Sequence, residues 1–175
     1  MIETRAFNQE VLYTTADITT VSPADIARFK DMAARNPRRR IRLCAHPNPD
    51  QAVHEMLIIH YSDVYVPPHK HLDKSESFHV IEGLGHVFVF DDEGGVIETV
   101  RLGEFGSGER FYYRITKSFY HSLVIASDCL VFHETTRGPF DPAETVLAPW
   151  APADNDSPAV AAFMAKLRSL AENQG

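Results

Sequence analysis

The stretch Pro67-Pro68-His69-Lys70-His71-Leu72-Asp73-Lys74-Ser75-Glu76 decides how the rest of the chain is read. In a β-strand, residues two apart share a face, so His69 and His71 can aim both imidazoles to one side while Lys70 faces away. Leu72 to Ser75 then turn the chain into a strand that opens with Glu76 and continues on the same face with Phe78 and Val80. A carboxylate beside two imidazoles is a donor set suited to a divalent transition metal. A further donor has to come from another strand. In Phe119 to Ile125 the residues Phe119, His121, Leu123 and Ile125 share a face, which leaves His121 either a hydrogen-bonded core histidine or a ligand.

Around this stretch, from about Ile41 to Phe140, short runs of β-branched and aromatic residues alternate with turn residues. Strands are expected over Ile41–Ala45, Met56–Val66, Ser77–Ile81, His86–Phe90, Val96–Leu102, Phe111–Ile115, Phe119–Ile125 and Cys129–Thr135. Turns fall at Glu82-Gly83, Asp91 to Gly95, Gly103 to Gly108 and Ser127-Asp128. Many short strands without βα alternation predict an all-β sandwich or barrel. Two helices flank it. Ser22-Pro23 supplies a cap and a first-turn proline ahead of Ile26, Phe29 and Met32, and Asn36-Pro37 ends that run. Ser157-Pro158 opens a second, with Val160, Phe163, Met164, Leu167 and Leu170 on one stripe. The four prolines at 142, 149, 152 and 158 predict an extended surface strap between barrel and helix.

The motifs carry a resemblance. His69, His71 and Glu76, with Gly83 after six intervening residues, resemble the first cupin motif, and Thr116 to His121 is similar to the second, its histidine kept and its Pro and Gly replaced by Thr116 and Ser118. Leu43 to Pro47 with His54 to Ile58, Lys74 to Gly83, and Phe132 to Phe140 further resemble the WbuC-type cupin fold metalloproteins, over about residues 39–152. The resemblance implies a cupin double-stranded β-helix, or jelly roll, with an N-terminal strand-helix arm and a C-terminal helix. One domain is expected over residues 1–175: arm and helix at 1–40, barrel at 41–140, strap and helix at 141–175. It also makes His121 a ligand beside His69, His71 and Glu76, holding one divalent transition metal (Fe, Mn, Zn or Ni). That family is associated with bacterial O-antigen and surface-polysaccharide gene clusters. The implied function is action on, or binding of, a sugar or sugar-nucleotide intermediate by an isomerase- or epimerase-like metalloprotein. The alternatives are an iron-dependent oxygenase of a small molecule and a non-catalytic metabolite binder.

Composition narrows the partners. At 175 residues and 44% hydrophobic, the chain can bury a core without staples. A net charge of −7 argues against nucleic acid and anionic membrane surfaces as partners. The longest hydrophobic run, Ala159 to Ala165, has seven residues against the roughly 20 of a membrane span, so a cytoplasmic protein is expected. Cys44 and Cys129 read as reduced thiols in apolar segments. Arg38, Arg39, Arg40 and Arg42 read as the solvated edge of a strand.

Three neutral imidazoles, one carboxylate and a dication leave one net positive charge, which predicts a polar or anionic small-molecule ligand. His133 and Glu134 are adjacent on one strand, so only one can face the site, and both are candidates for general acid or base. Arg137 is a candidate for binding a ligand carboxylate or phosphate at the mouth. His79 should point away from the site, His60 and His86 read as packing or surface residues, and His46 and His54 stay open. The strand at Val11 to Thr15 is suited to joining a partner's sheet, predicting a homodimer.

Overall fold

In the computed structural model, which describes residues 1–173, two antiparallel-rich sheets face each other and carry one helix on the outside of each. The strands in chain order are β1 (Thr4–Ala6), β2 (Val11–Thr14), β3 (Arg40–Cys44), β4 (Val53–Tyr61), β5 (His69–His71), β6 (Glu76–Glu82), β7 (Leu84–Phe90), β8 (Val96–Gly103), β9 (Tyr112–Ile115), β10 (Tyr120–Ile125), β11 (Cys129–Arg137) and β12 (Thr145–Leu147). The helices are α1 (Pro23–Arg35) and α2 (Ser157–Glu172). One sheet runs β1-β2-β3-β4-β11-β6-β9 and the other β12-β5-β10-β7-β8. From β4 onward, apart from the β7–β8 pair, successive strands alternate between the two walls, and the result is the cupin jelly roll with its two outer helices.

Both faces of the larger sheet are covered, and the alternation of side chains shows how. Along β3 and β4, Ile41, Leu43, Leu57 and Ile59 point outward and pack with Leu12, Phe29 and Ala33 under α1. Cys44, Met56 and Ile58 point inward, meeting Phe78, Val80, Leu123 and Phe132 inside the barrel. The helix starts where its cap directs. The Ser22 hydroxyl accepts from the Asp25 amide and the Asp25 carboxylate accepts from the Ser22 amide, a reciprocal box that satisfies two otherwise orphaned donors. The second helix begins at Ser157, its cap lying one residue before the expected one, with Asp156 accepting from the Ala159 amide. Its Met164, Leu167 and Ala171 cover Phe88, Phe90 and Val124 on the smaller sheet.

Gly83 links β6 to β7 at φ 91°, a left-handed conformation. A Cβ there would also overlap the carbonyl oxygen of Cys129, so the turn admits only glycine.

Three sequence expectations are corrected. The strand expected over Met56–Val66 ends at Tyr61, and Val64 and Tyr65 are buried without belonging to it. The strap is not simply extended: a 3-10 turn at Pro142–Glu144 precedes β12, which pairs with β5 through Thr145–His71 and Leu147–His69. The N-terminal strand is not a free segment. It lies between β1 and β3 of its own sheet, all four residues buried, because Leu12 is needed under α1 and Val11 and Tyr13 close the barrel wall.

A candidate metal centre in the barrel

Four side chains meet where the two sheets converge. His69 and His71 come from β5, Glu76 from the first position of β6, and His121 from β10, whose residue 121 pairs directly with His69. One donor atom from each of the four lies within 4.8 Å of all the others, so the group can hold a metal ion. The ring centroids of His69 and His121 are 4.6 Å apart, and those of His69 and His71 are 4.9 Å apart.

The orientation of the rings is set by what their outer nitrogens do. His69 Nδ1 donates to the Pro67 carbonyl at 2.8 Å and His121 Nδ1 to the Phe119 carbonyl at 3.0 Å, while His71 Nδ1 sits 3.2 Å from the Thr145 hydroxyl. A hydrogen bond at Nδ1 selects the tautomer whose Nε2 lone pair points inward, which is how metal-binding histidines are oriented. Thr145 belongs to the strap, so the unexpected β12 has a purpose at the site.

Glu76 faces these nitrogens: Oε2 is 3.1 Å from His71 Nε2 and Oε1 is 3.4 Å from His121 Nε2. Yet Glu76 Oε1 and His121 Nε2 are both buried and form no hydrogen bond among the described residues. Buried polar atoms without partners are costly, and a cation between them would satisfy both at once. The residues therefore fit a divalent metal. Charge balance agrees. Burial pushes the Glu76 carboxyl up, but the close approach of the His121 and His71 imidazoles outweighs it and holds the group well below the usual range. Burial, with the neighbouring His121, brings His69 down to about 4, so it stays neutral; His121 is lowered by burial but raised overall by its contacts with Glu76.

The site opens into a cavity of about 440 Å³ inside the barrel. Strand register settles which of the two adjacent candidates faces it. Glu134 shares its face with Leu130, Phe132 and Thr136 and lines the cavity. His133 lies opposite Leu57 and His79 on the outer face, away from the site. Thr136 is opposite Glu76, so Glu134 stands one strand and two residues from the carboxylate of the cluster. Burial, with the Glu76 charge adding to it and Arg42 opposing, raises the Glu134 carboxyl well above its ordinary value. The Glu134 side chain has no hydrogen-bond or ion-pair partner among the described residues, and it faces the cavity in surroundings that favour its protonated form.

Arg137 is exposed at the rim, its guanidinium 3.7 Å from Glu144, whose other oxygen is 2.6 Å from Lys74. His79 is exposed on the outer face, as expected. His46 and His54 stack at 4.1 Å with rings 6° from parallel and cover part of the cavity, held by the Glu55 and Pro49 carbonyls. Three residues read as surface or packing positions prove to line the cavity: Arg40, Arg42 and His60. The signal was available in β3, where Arg42 shares its face with Cys44. It was masked because Ile41 and Leu43, the more regular apolar pair, face the helix.

Comparison with known proteins agrees on the architecture. Residues 21–102, a little under half of the chain, match a family described as a domain of unknown function (DUF6016). No curated protein matches in sequence. Among solved structures the chain is similar to protein SO0799 of Shewanella oneidensis, at 12% identity and TM-score 0.54 over 73% of this chain and 85% of that one. It is also similar to L-ribose isomerase of Cellulomonas parahominis, at 16% identity and TM-score 0.51 over 64% and 70% of the two chains. The cupin domain of Schizosaccharomyces pombe Cnp3 is a weaker match, at 13% identity and TM-score 0.44 over 57% of this chain and 64% of that one. At such low identities the first two likenesses show the fold alone. No helix among the described residues is long and apolar enough to cross a membrane. The chain therefore has a cupin-type jelly-roll fold, and its four-residue donor cluster could hold a metal ion.

Proposed function

We propose that the protein holds one divalent transition metal through His69, His71, Glu76 and His121 and uses it to act on a sugar or sugar-nucleotide derivative within the barrel. The observation that carries the metal is the facing pair of buried, unpartnered atoms, Glu76 Oε1 and His121 Nε2. The sugar class is supported by the resemblance of residues 39–152 to the WbuC-type cupin fold metalloproteins. A cavity of about 440 Å³ with several polar side chains in a mainly apolar wall is of the size that small-molecule sites occupy.

A bound divalent ion would supply Lewis-acid polarisation of a hydroxyl or carbonyl oxygen. The chain's own residues do the rest. Glu134, whose surroundings in the cavity favour the protonated carboxyl, can deliver that proton to a ligand oxygen or nitrogen and then take it back. His46 and His54 cover the cavity and limit the access of water.

The test is elemental analysis of protein purified without added metal, followed by thermal-shift screening of the metal-loaded protein with sugars, sugar phosphates and nucleotide sugars. About one metal per chain and stabilisation by a member of the panel are expected. Absence of metal after loading removes the metal reading. Metal with oxygen uptake and no sugar response would turn the assignment to an oxygenase, and tight sugar binding without conversion to a binding protein.

A further inference from the structure

The cavity has a second polar pole, distinct from the histidine cluster. Arg40 and Arg42 are two apart on β3, and both lie on the inner side of the strand. Arg40 is compensated, its Nε donating to Glu10 Oε2 at 2.7 Å, and Arg38 reaches the other oxygen of Glu10 at 3.6 Å. Arg42 has no carboxylate partner among the described residues, and its Nε is buried without a hydrogen bond. Glu134 is close enough to feel the Arg42 charge but makes no ion pair with it, and burial favours the uncharged form of that carboxyl.

His60 stands beside Arg42. Residue 60 pairs with Arg40 and residue 58 with Arg42, so His60 and Arg42 are diagonal neighbours on the inner face of adjacent strands. The His60 ring packs edge-on against Phe132 at 5.7 Å, and its Nδ1 is buried with no hydrogen-bond partner among the described residues. Burial, reinforced by Arg40, Arg42 and Arg38, lowers its pKa to about 3, so it faces the cavity as a neutral imidazole able to donate from Nδ1.

The buried, unbonded Nε of the half-buried Arg42 and the orphaned Nδ1 of His60 lie on one wall of one cavity, and a ligand carrying negatively charged acceptor oxygens would satisfy both. Each is costly to bury without it. The pole is set apart from the cluster: His54 is level with Thr136 and Glu76, whereas Ile58 is level with Arg42, four residues or about 13 Å along the strand.

We propose that Arg42 and His60 form an oxyanion seat at the opposite end of the cavity from the histidine cluster, and that the ligand is an acid, a carboxylate or phosphate ester, anchored there by its anionic group. The inference rests on the proposed function for the ligand's other end, and names the chemical class that function leaves open. Arg42 provides the planar fork that matches two oxygens, His60 a third donor, and the ligand's uncharged polar end extends past Glu134 toward the cluster.

The experiment is NMR of the histidine side chains in the full-length protein, titrated with inorganic phosphate and separately with acetate in low-chloride buffer, with metal content measured on the same samples. At least one anion should shift the His60 ring resonances and raise the melting temperature, the responding probe telling phosphate ester from carboxylate. Arg42→Met should weaken that binding about tenfold or more while metal content stays unchanged. His60→Phe, which keeps the packing on Phe132, should weaken it as well, and serves as the comparison if Arg42→Met does not fold. If neither anion moves His60, or if a folded variant binds as tightly as the wild type, the seat is overturned. A wild type that binds the anion at Arg42 but retains no metal would leave the seat standing and remove the proposed function, so the two failures are distinguishable.

Discussion

Glu76 and Glu134 stand on neighbouring strands of one sheet, two residues out of register, and their carboxyls are driven in opposite directions: two imidazoles lower the pKa of Glu76, and burial, with the Glu76 charge adding to it, raises that of Glu134. Two carboxyls whose surroundings separate their protonation states are suited to divide labour between holding a cation and carrying a proton. Glu134→Gln keeps the shape and removes the exchangeable acid. It should retain metal and ligand-induced stabilisation but lower turnover by roughly 100-fold or more, the scale of general acid–base catalysis. His133→Gln, on the outer face, should leave turnover near wild type. Steady-state kinetics on the identified substrate decides between them, and an unimpaired Glu134→Gln removes Glu134 from the chemistry.

Loss of a single imidazole should empty the cluster. His71→Ala and His121→Ala are expected to lose stoichiometric metal in elemental analysis, with the metal-dependent rise in melting temperature gone from both. Neutral imidazoles are the binding form, so metal affinity should fall as the pH drops and protons compete for the same nitrogens, His121, raised by its contacts with Glu76, before His69. Full metal content in both variants would count against this ligand set.

The cluster could be read from the sequence because period-two alternation and short spacing put His69, His71 and Glu76 within one turn of chain, so few arrangements satisfy them. Its lock was hidden. Thr145, which meets His71 Nδ1, lies 74 residues away in a proline-rich strap with no strand signal. The choice between His133 and Glu134 was likewise beyond pattern reading. Both faces of β11 are apolar, Phe132 inside the barrel and Val131 under α1, so hydrophobicity gives no parity. Arg42 failed for a related reason, since charge on a strand predicts solvent unless the interior holds a polar site.

Acid should loosen the first helix before the barrel. Asp25 is brought down to about 2 by the Ser22 hydroxyl, then by the amides of Ile2 and Ser22. Its ordinary value is 3.8, so the folded state prefers the ionised form. The resulting stability is present above pH 3.8 and is lost as pH falls toward 2. Asp25→Asn should flatten the dependence of stability on pH in that window, measured by urea unfolding at fixed pH steps. Ser22→Ala removes the cap and should cost about 1 kcal/mol at neutral pH. An unchanged pH dependence in Asp25→Asn would assign the acid sensitivity to other carboxylates.

The N-terminal arm should behave as part of the core. Leu12, 4% exposed, packs under α1 with Phe29 and Leu43, while Val11 and Tyr13 on the opposite face reach the barrel interior. A strand buried on both faces and paired on both edges has no conformation in which it can leave without opening the sheet. Leu12→Ala should therefore destabilise the protein by about 2–5 kcal/mol in denaturant unfolding, the range for a cavity left in a packed core. Deletion of residues 1–20 should yield an unfolded or aggregating chain in circular dichroism and light scattering. A folded, monodisperse product would mean that β3 can serve as the edge of the sheet and that the arm is dispensable.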